Sequence, residues 1–189
     1  MTINTKSLKQ LVLKSFKITL QNIKTSRIND NKEKSRKWLE CLFTNLEAHY
    51  SCCNISRVLM QHIGKKSSLL KTGEFLYDIH VVNIIQQHAY SQRNTVEYIS
   101  LSELVIESEF TKNAKGVIND FSKLICSNAK AKLFICSQHI QQKILLEYPA
   151  NYCSGHLYLL LLPYPEEWPN NNKVEFYKYN RKKGKWVPR

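Results

Sequence analysis

The stretch Leu104-Val105-Ile106-Glu107-Ser108-Glu109-Phe110 constrains this chain more than any other, because an apolar run there carries two carboxylates one residue apart. Side chains of a β-strand alternate between faces, so Val105, Glu107 and Glu109 should project one way. Leu104, Ile106 and Phe110 then project the other way, into a core. Two acids on one face of an otherwise buried strand are costly unless a positive group sits between them. A divalent cation or a lysine meets that need. Asp78, on the preceding candidate strand, adds a third acid to the pattern.

The hydrophobic pattern places these acids within a series of elements. Leu8, Leu11, Val12, Phe16 and Ile23 recur at near-helical spacing over residues 6–24, with lysines on the other faces. Lys24 to Lys37 reads as a polar connector. Residues 36–50 predict a second helix, with Leu39, Leu42, Phe43, Leu46 and Tyr50 in one stripe. A short helix is expected at 54–63 and a loop from Gly64 to Gly73. Phe75 to Ile85 is rich in aromatic and β-branched residues and predicts a strand, and the strand ending at Glu109 follows.

After a turn from Thr111 to Gly116, a helix is expected over 117–128, built on Val117, Ile118, Phe121, Leu124 and Ile125. Lys132 to Ser137 and His156 to Leu162 read as buried strands flanking a helix at 139–148. Val174 to Tyr179 suits an edge strand. Strand, helix and strand around residues 104–137 should form a parallel crossover. The expected architecture is α/β, a mixed central sheet flanked by helices. Residues 1–35 are read as a basic N-terminal helix and connector, 36–180 as a single domain, and 181–189 as a basic, mobile tail.

An α-β-β-β-α-β order with Asp on one strand and Glu-x-(acid or Lys) on the next resembles the PD-(D/E)XK phosphodiesterase superfamily, which includes restriction endonucleases and repair nucleases. The resemblance covers roughly Lys37 to Leu162 and rests on Asp78, Glu107 and Glu109 together with element order. It implies a restriction-endonuclease-like core and a Mg²⁺- or Mn²⁺-dependent nuclease acting on DNA in restriction, defence or repair. It further implies that Asp78 and Glu107 are the metal ligands. Two positions depart from the family pattern. Tyr77 stands where a proline often precedes the first acid, and Glu109 occupies the usual lysine position, making a Glu-x-Glu variant.

The missing lysine has a candidate replacement in Lys123, on the helix after the strand. At ~1.5 Å per helical residue Lys123 lies about 12 Å from the helix start. At ~3.3 Å per strand residue Glu107 lies about 10 Å back from Phe110. The two are therefore level. Lys112 and Lys115, in the turn, are less well placed. Glu47, bordering the apolar face of the second helix, is an outer-shell candidate, although a solvated helix residue is the simpler reading. His80, His88 and His139 read as surface or core-edge residues.

Bulk composition bears on partners. With 28 basic against 15 acidic side chains the chain carries a formal charge of +13, which favours a polyanionic partner. Tyr90, Gln92, Arg93, Lys65, Lys66, Arg181, Lys182 and Lys183 are candidate DNA contacts. A non-catalytic nucleic-acid-binding protein on a nuclease-like fold is the alternative reading. A homodimer would suit cleavage of both strands, with the first two helices offering apolar surface for pairing.

Cys41, Cys126 and Cys136 read as reduced core residues of a cytoplasmic protein. Cys153 with His156, and Cys52-Cys53 with His62, have ligand-like spacing but make no four-ligand zinc set. The longest apolar run, Leu157 to Leu162, is too short to span a bilayer, so no membrane association is expected. The acid-free, basic start of the chain is assigned to a first helix rather than to a targeting segment.

Overall fold

The computed structural model describes residues 3–51, 56–60, 77–88, 95–138, 145–147, 150–168 and 170–189. Two helices open the chain, α1 at Thr5–Ser26 and α2 at Asn31–Tyr50. Asn4 caps α1 by accepting a hydrogen bond from the Ser7 N–H (2.9 Å), and Arg27 ends it in the left-handed region at φ 52°. Asp30 caps α2, its carboxylate accepting from the Glu33 N–H at 2.7 Å. That cap starts α2 well before the point that apolar periodicity alone indicates, so the expected connector shrinks to a tight link.

Seven strands follow: β1 (Ser56–Met60), β2 (Ile79–His88), β3 (Thr95–Glu109), β4 (Ala131–Ser137), β5 (His156–Leu162), β6 (Glu175–Asn180) and β7 (Lys185–Pro188). Helix α3 (Ala114–Cys126) connects β3 to β4. The strands lie side by side in chain order in one mixed sheet. β3, β4 and β5 are mutually parallel, and the β1–β2, β2–β3, β5–β6 and β6–β7 pairs are antiparallel. The protein is thus mixed α/β with a central sheet flanked by helices, as expected.

Two elements correct the sequence reading. The short helix expected at 54–63 is strand β1, whose residues pair with β2 from Ser56↔Asn83 to Met60↔Ile79. So short a segment makes no stable helix on propensity alone, and the open edge of β2 decides the conformation. The basic tail expected at 181–189 contains β7, which pairs with β6 and buries Trp186. The loop expected at Gly64 to Gly73 lies outside the described residues, as does most of the helix expected at 139–148, of which 145–147 is helical.

Each face of the sheet has its own core. Leu104, Ile106, Phe110, Leu133, Ile135, Tyr158 and Leu160 pack with the buried stripes of α1 and α2. Edge-to-face aromatic contacts knit this core, with Phe16 against Trp38 and Trp168 and Phe110 against Trp168. The other face packs Val105, Phe134, Leu159 and Leu161 against Val117, Phe121 and Leu124 of α3. Leu8, Val12, Phe16, Ile23, Leu39, Leu42, Leu46 and Tyr50 are all buried within the chain. The apolar surface that α1 and α2 were expected to offer for pairing is therefore consumed by this core. Among the described residues no helix is long and apolar enough to cross a membrane.

Candidate active site

The alternation along β3 is the one its sequence demands. Leu104, Ile106 and Phe110 enter the α1/α2 core, while Val105 enters the α3 core. Glu107 follows Val105 on the α3 face and is 4% exposed, and Glu109 is half-buried beyond it. The turn after β3 is fastened to this acid: Glu109 accepts a hydrogen bond from the Thr111 N–H at 2.6 Å. Asn113 then caps α3 by accepting from the Lys115 N–H at 3.0 Å.

Asp78 immediately precedes β2, where the sequence placed it within a strand. Its carboxylate accepts the Ser108 N–H at 2.8 Å, beyond the last β2–β3 pair at Ile79↔Ile106. A side-chain oxygen thus continues the ladder where strand backbone stops, and Asp78 is held beside Glu107. Tyr77, just before it, packs on the α3 core.

Helix α3 supplies the positive charge. The Lys123 ammonium lies 3.8 Å from Glu107 Oε1 and 2.6 Å from Asp120 Oδ1. The level expected from helix and strand rise is therefore the level observed. Asp120 was not singled out from the sequence, yet it completes the cluster, bonding Lys123 on one side and raising the Glu109 carboxyl on the other. Its signal was its spacing: three residues before Lys123 on one helix, it shares that lysine's face.

The result is one half-exposed ammonium among four carboxyl groups, of which Glu107 is the buried one. Burial pushes the Glu107 carboxyl up to about 8, and repulsion from Asp78, Asp120 and Glu109 adds to the rise while Lys123 opposes it. Burial likewise raises Glu109, helped by the hydrogen bond and charge of Asp120 and by Asp78, against the Thr111 N–H. Lys123 is raised chiefly by its bond to Asp120. Burial raises the Tyr77 phenol, with Glu107 contributing. Glu107 Oε1 is buried and accepts no hydrogen bond, Lys123 being too distant for one.

That orphan oxygen, with hard carboxylate donors on both sides, fits a small divalent cation in its chemistry. The carboxylates do not converge into a ligand shell. Among the described residues no three His, Cys, Asp or Glu side chains are close enough to hold a metal ion.

The remaining candidates lie elsewhere. Glu47 is exposed on α2, Lys115 is exposed, and Lys112 sits over the Tyr164 ring, 4.6 Å from its centroid. His80 bonds Ser102 (2.8 Å), and burial pushes its imidazole down to about 4. Tyr90, Gln92, Arg93, Lys65, Lys66, Cys52, Cys53, His62, His139 and the His88 side chain fall outside the described residues. Cys41, Cys126, Cys136 and Cys153 are free thiols. Cys136 is in the core as expected, but Cys126 is exposed at the end of α3. Cys153 faces the buried Lys132 ammonium at 3.2 Å rather than His156.

Comparison of the chain with protein-family models, with curated proteins and with solved structures finds no match.

Proposed function

We propose that the chain is a metal-dependent nuclease that hydrolyses DNA phosphodiester bonds, built on a restriction-endonuclease-like core of the PD-(D/E)XK kind. The observation that carries this reading is Glu107: a buried carboxyl at the end of a parallel strand, with one oxygen unsatisfied, Asp78 beside it and Lys123 facing it. The run α2-β1-β2-β3-α3-β4 supports it further, since β1 supplies the third strand that the α-β-β-β-α-β order needs.

In this reading Asp78 and Glu107 would hold Mg²⁺ or Mn²⁺. The ion would supply polarisation of the phosphoryl group and acidification of a water. Lys123, freed from one of its two acids on ligand binding, stabilises negative charge gathering on the phosphoryl oxygens. Glu109, on the same strand face as Glu107, would take up the proton that the attacking water loses. Restriction, defence or repair in the cytoplasm are the settings such chemistry serves, and a two-fold pair of chains would suit cutting both strands.

The test is incubation of supercoiled and linear DNA with Mg²⁺ or Mn²⁺, beside the Glu107→Ala variant. Cleavage by the native chain and none by the variant is expected. Cleavage that persists in the variant refutes the assignment. One observation favours a second reading, a nucleic-acid-binding protein that does not cut: Lys123 is nearer to Asp120 than to Glu107. Salt-sensitive DNA binding without metal-dependent cleavage would establish it.

A further inference from the structure

An open cleft of about 710 Å³ lies at the N-terminal ends of β4 and β5. Its walls carry Lys130, His156, Lys178, Arg181, Lys182 and Arg189, with no acid lining it among the described residues. The carboxylate cluster is elsewhere. Glu107 pairs with Phe134, three residues further along β4 than Ala131, which is about 10 Å along the strand. The faces differ too, since Lys178 pairs with Tyr158 and its ammonium lies over that ring on the α1/α2 side, while Glu107 faces α3.

The floor of the cleft is fixed by backbone. Gly155 adopts φ +66°, and a Cβ there would come within 2.2 Å of the Ala129 carbonyl oxygen. The glycine lets the entry to β5 lie against the entry to β4, where the His156 N–H bonds the Lys130 carbonyl at 2.7 Å. Arg181 then donates to the Gly155 carbonyl, which holds its guanidinium at the rim. Glu103, the acid that meets Lys130, is 1% exposed and bonds that lysine at 2.8 Å, so it offers little charge to the other cations.

The cations in the cleft repel one another. Lys178 is lowered by burial and then by Arg189, and His156 by burial and then by Lys178 and Arg181. Apart from Lys130, which Glu103 pairs, these cations meet no acid among the described lining residues, and such a gathering destabilises a fold unless an anion occupies the space. A lone phosphate needs few of these groups, whereas a run of linked phosphates can meet several at once.

We propose that this cleft binds consecutive phosphate groups, as a stretch of nucleic-acid backbone or a free polyphosphate presents them, through Lys178, Arg181 and Lys182. The proposal does not rest on the cleavage reading, because none of its residues belongs to the carboxylate cluster.

The test uses the full chain carrying Glu107→Gln, without divalent metal. A fluorescein-labelled 12-nucleotide single strand is titrated by anisotropy between 50 and 200 mM salt, and pyrophosphate by calorimetry. Lys178→Gln/Lys182→Gln relieves the mutual repulsion of the cations, so its melting temperature should equal or exceed the parent's. Affinity should fall about tenfold, and the slope of log affinity against log salt should shrink by about 1.4, at roughly 0.7 for each phosphate no longer neutralised. Weakening confined to the oligonucleotide identifies nucleic acid as the source of the phosphates; weakening confined to pyrophosphate identifies a free polyphosphate. Unchanged binding of both ligands in the variant, or no binding of either by the parent, overturns the proposal. DNA binding that survives Glu107→Gln while cleavage is abolished keeps the two assignments separate.

Discussion

Replacing Glu107 by glutamine tests the electrostatics of the candidate site directly. Burial beside Asp78, Asp120 and Glu109 moves this carboxyl from an ordinary 4.5 up to about 8. A raised carboxyl binds its proton more tightly in the folded than in the unfolded chain. Its contribution to stability is therefore complete below pH 4.5 and is lost as pH climbs through about 8. The full span corresponds to at most about 5 kcal/mol at 1.36 kcal/mol for each tenfold change in proton affinity. Water at the half-exposed Lys123 rim of the cluster screens part of that, so about 2–4 kcal/mol is expected. Glutamine mimics the protonated carboxyl and has no such dependence. Denaturant unfolding from pH 5 to 9 should show the native chain losing more stability than Glu107→Gln, in which the raised Glu109 carboxyl still responds, the variant being the more stable at pH 9. In a chain of this length that gap is roughly 5–15 °C in melting temperature. Mg²⁺ should close the gap for the native chain and release a proton on binding below pH 8. Superimposable pH profiles for the two proteins would refute the reasoning, because Glu107 would then ionise without penalty.

Lys123→Met should cut single-turnover cleavage by about 100-fold or more, with Lys123→Arg retaining part of it. It should also move the pH dependence of metal binding upward, since the one favourable charge on Glu107 is removed. Glu109→Gln should weaken Mg²⁺ binding and turnover, measured by calorimetry and cleavage, while leaving the metal-free chain as stable or more so. Glu109→Lys supplies the lysine that the proposed PD-(D/E)XK reading expects there and should keep some cleavage; if neither substitution alters metal affinity or turnover, the Glu-x-Glu reading fails. Gly155→Ala should destabilise the chain by at least about 2 kcal/mol, since it combines a left-handed backbone with a carbonyl clash. A denaturation midpoint unchanged from the native chain would show that the β4–β5 entry relaxes freely.

The parts of this site legible in the sequence are those governed by local period. Two-residue alternation put Glu107 and Glu109 on one face and Leu104, Ile106 and Phe110 on the other. The rise of a helix and of a strand put Lys123 level with Glu107. Both follow from geometry within a single element or a single crossover, and the 3.8 Å separation of Lys123 and Glu107 reflects that. What escaped depends on partners distant in sequence. Ser56–Met60 is a strand because β2 leaves an edge beside it, and Lys185–Pro188 is a strand because β6 does. In both, the segment's own composition argued for something else.

Asp120 shows how the two kinds of information combine. Its spacing from Lys123 was available, and on an exposed helix such a pair is ordinary and weak. It gains significance only once β3 brings Glu107 and Glu109 beneath it. The same carboxylate then restrains the lysine and raises both Glu107 and Glu109. An acid that holds a lysine back and repels the neighbouring carboxylates acts on both sides of the charge balance. The ionisation of Glu107 is therefore set by α3 as much as by the strand that carries it. That is why two strand-borne acids could be located from the sequence, while the part Asp120 plays in their ionisation could not.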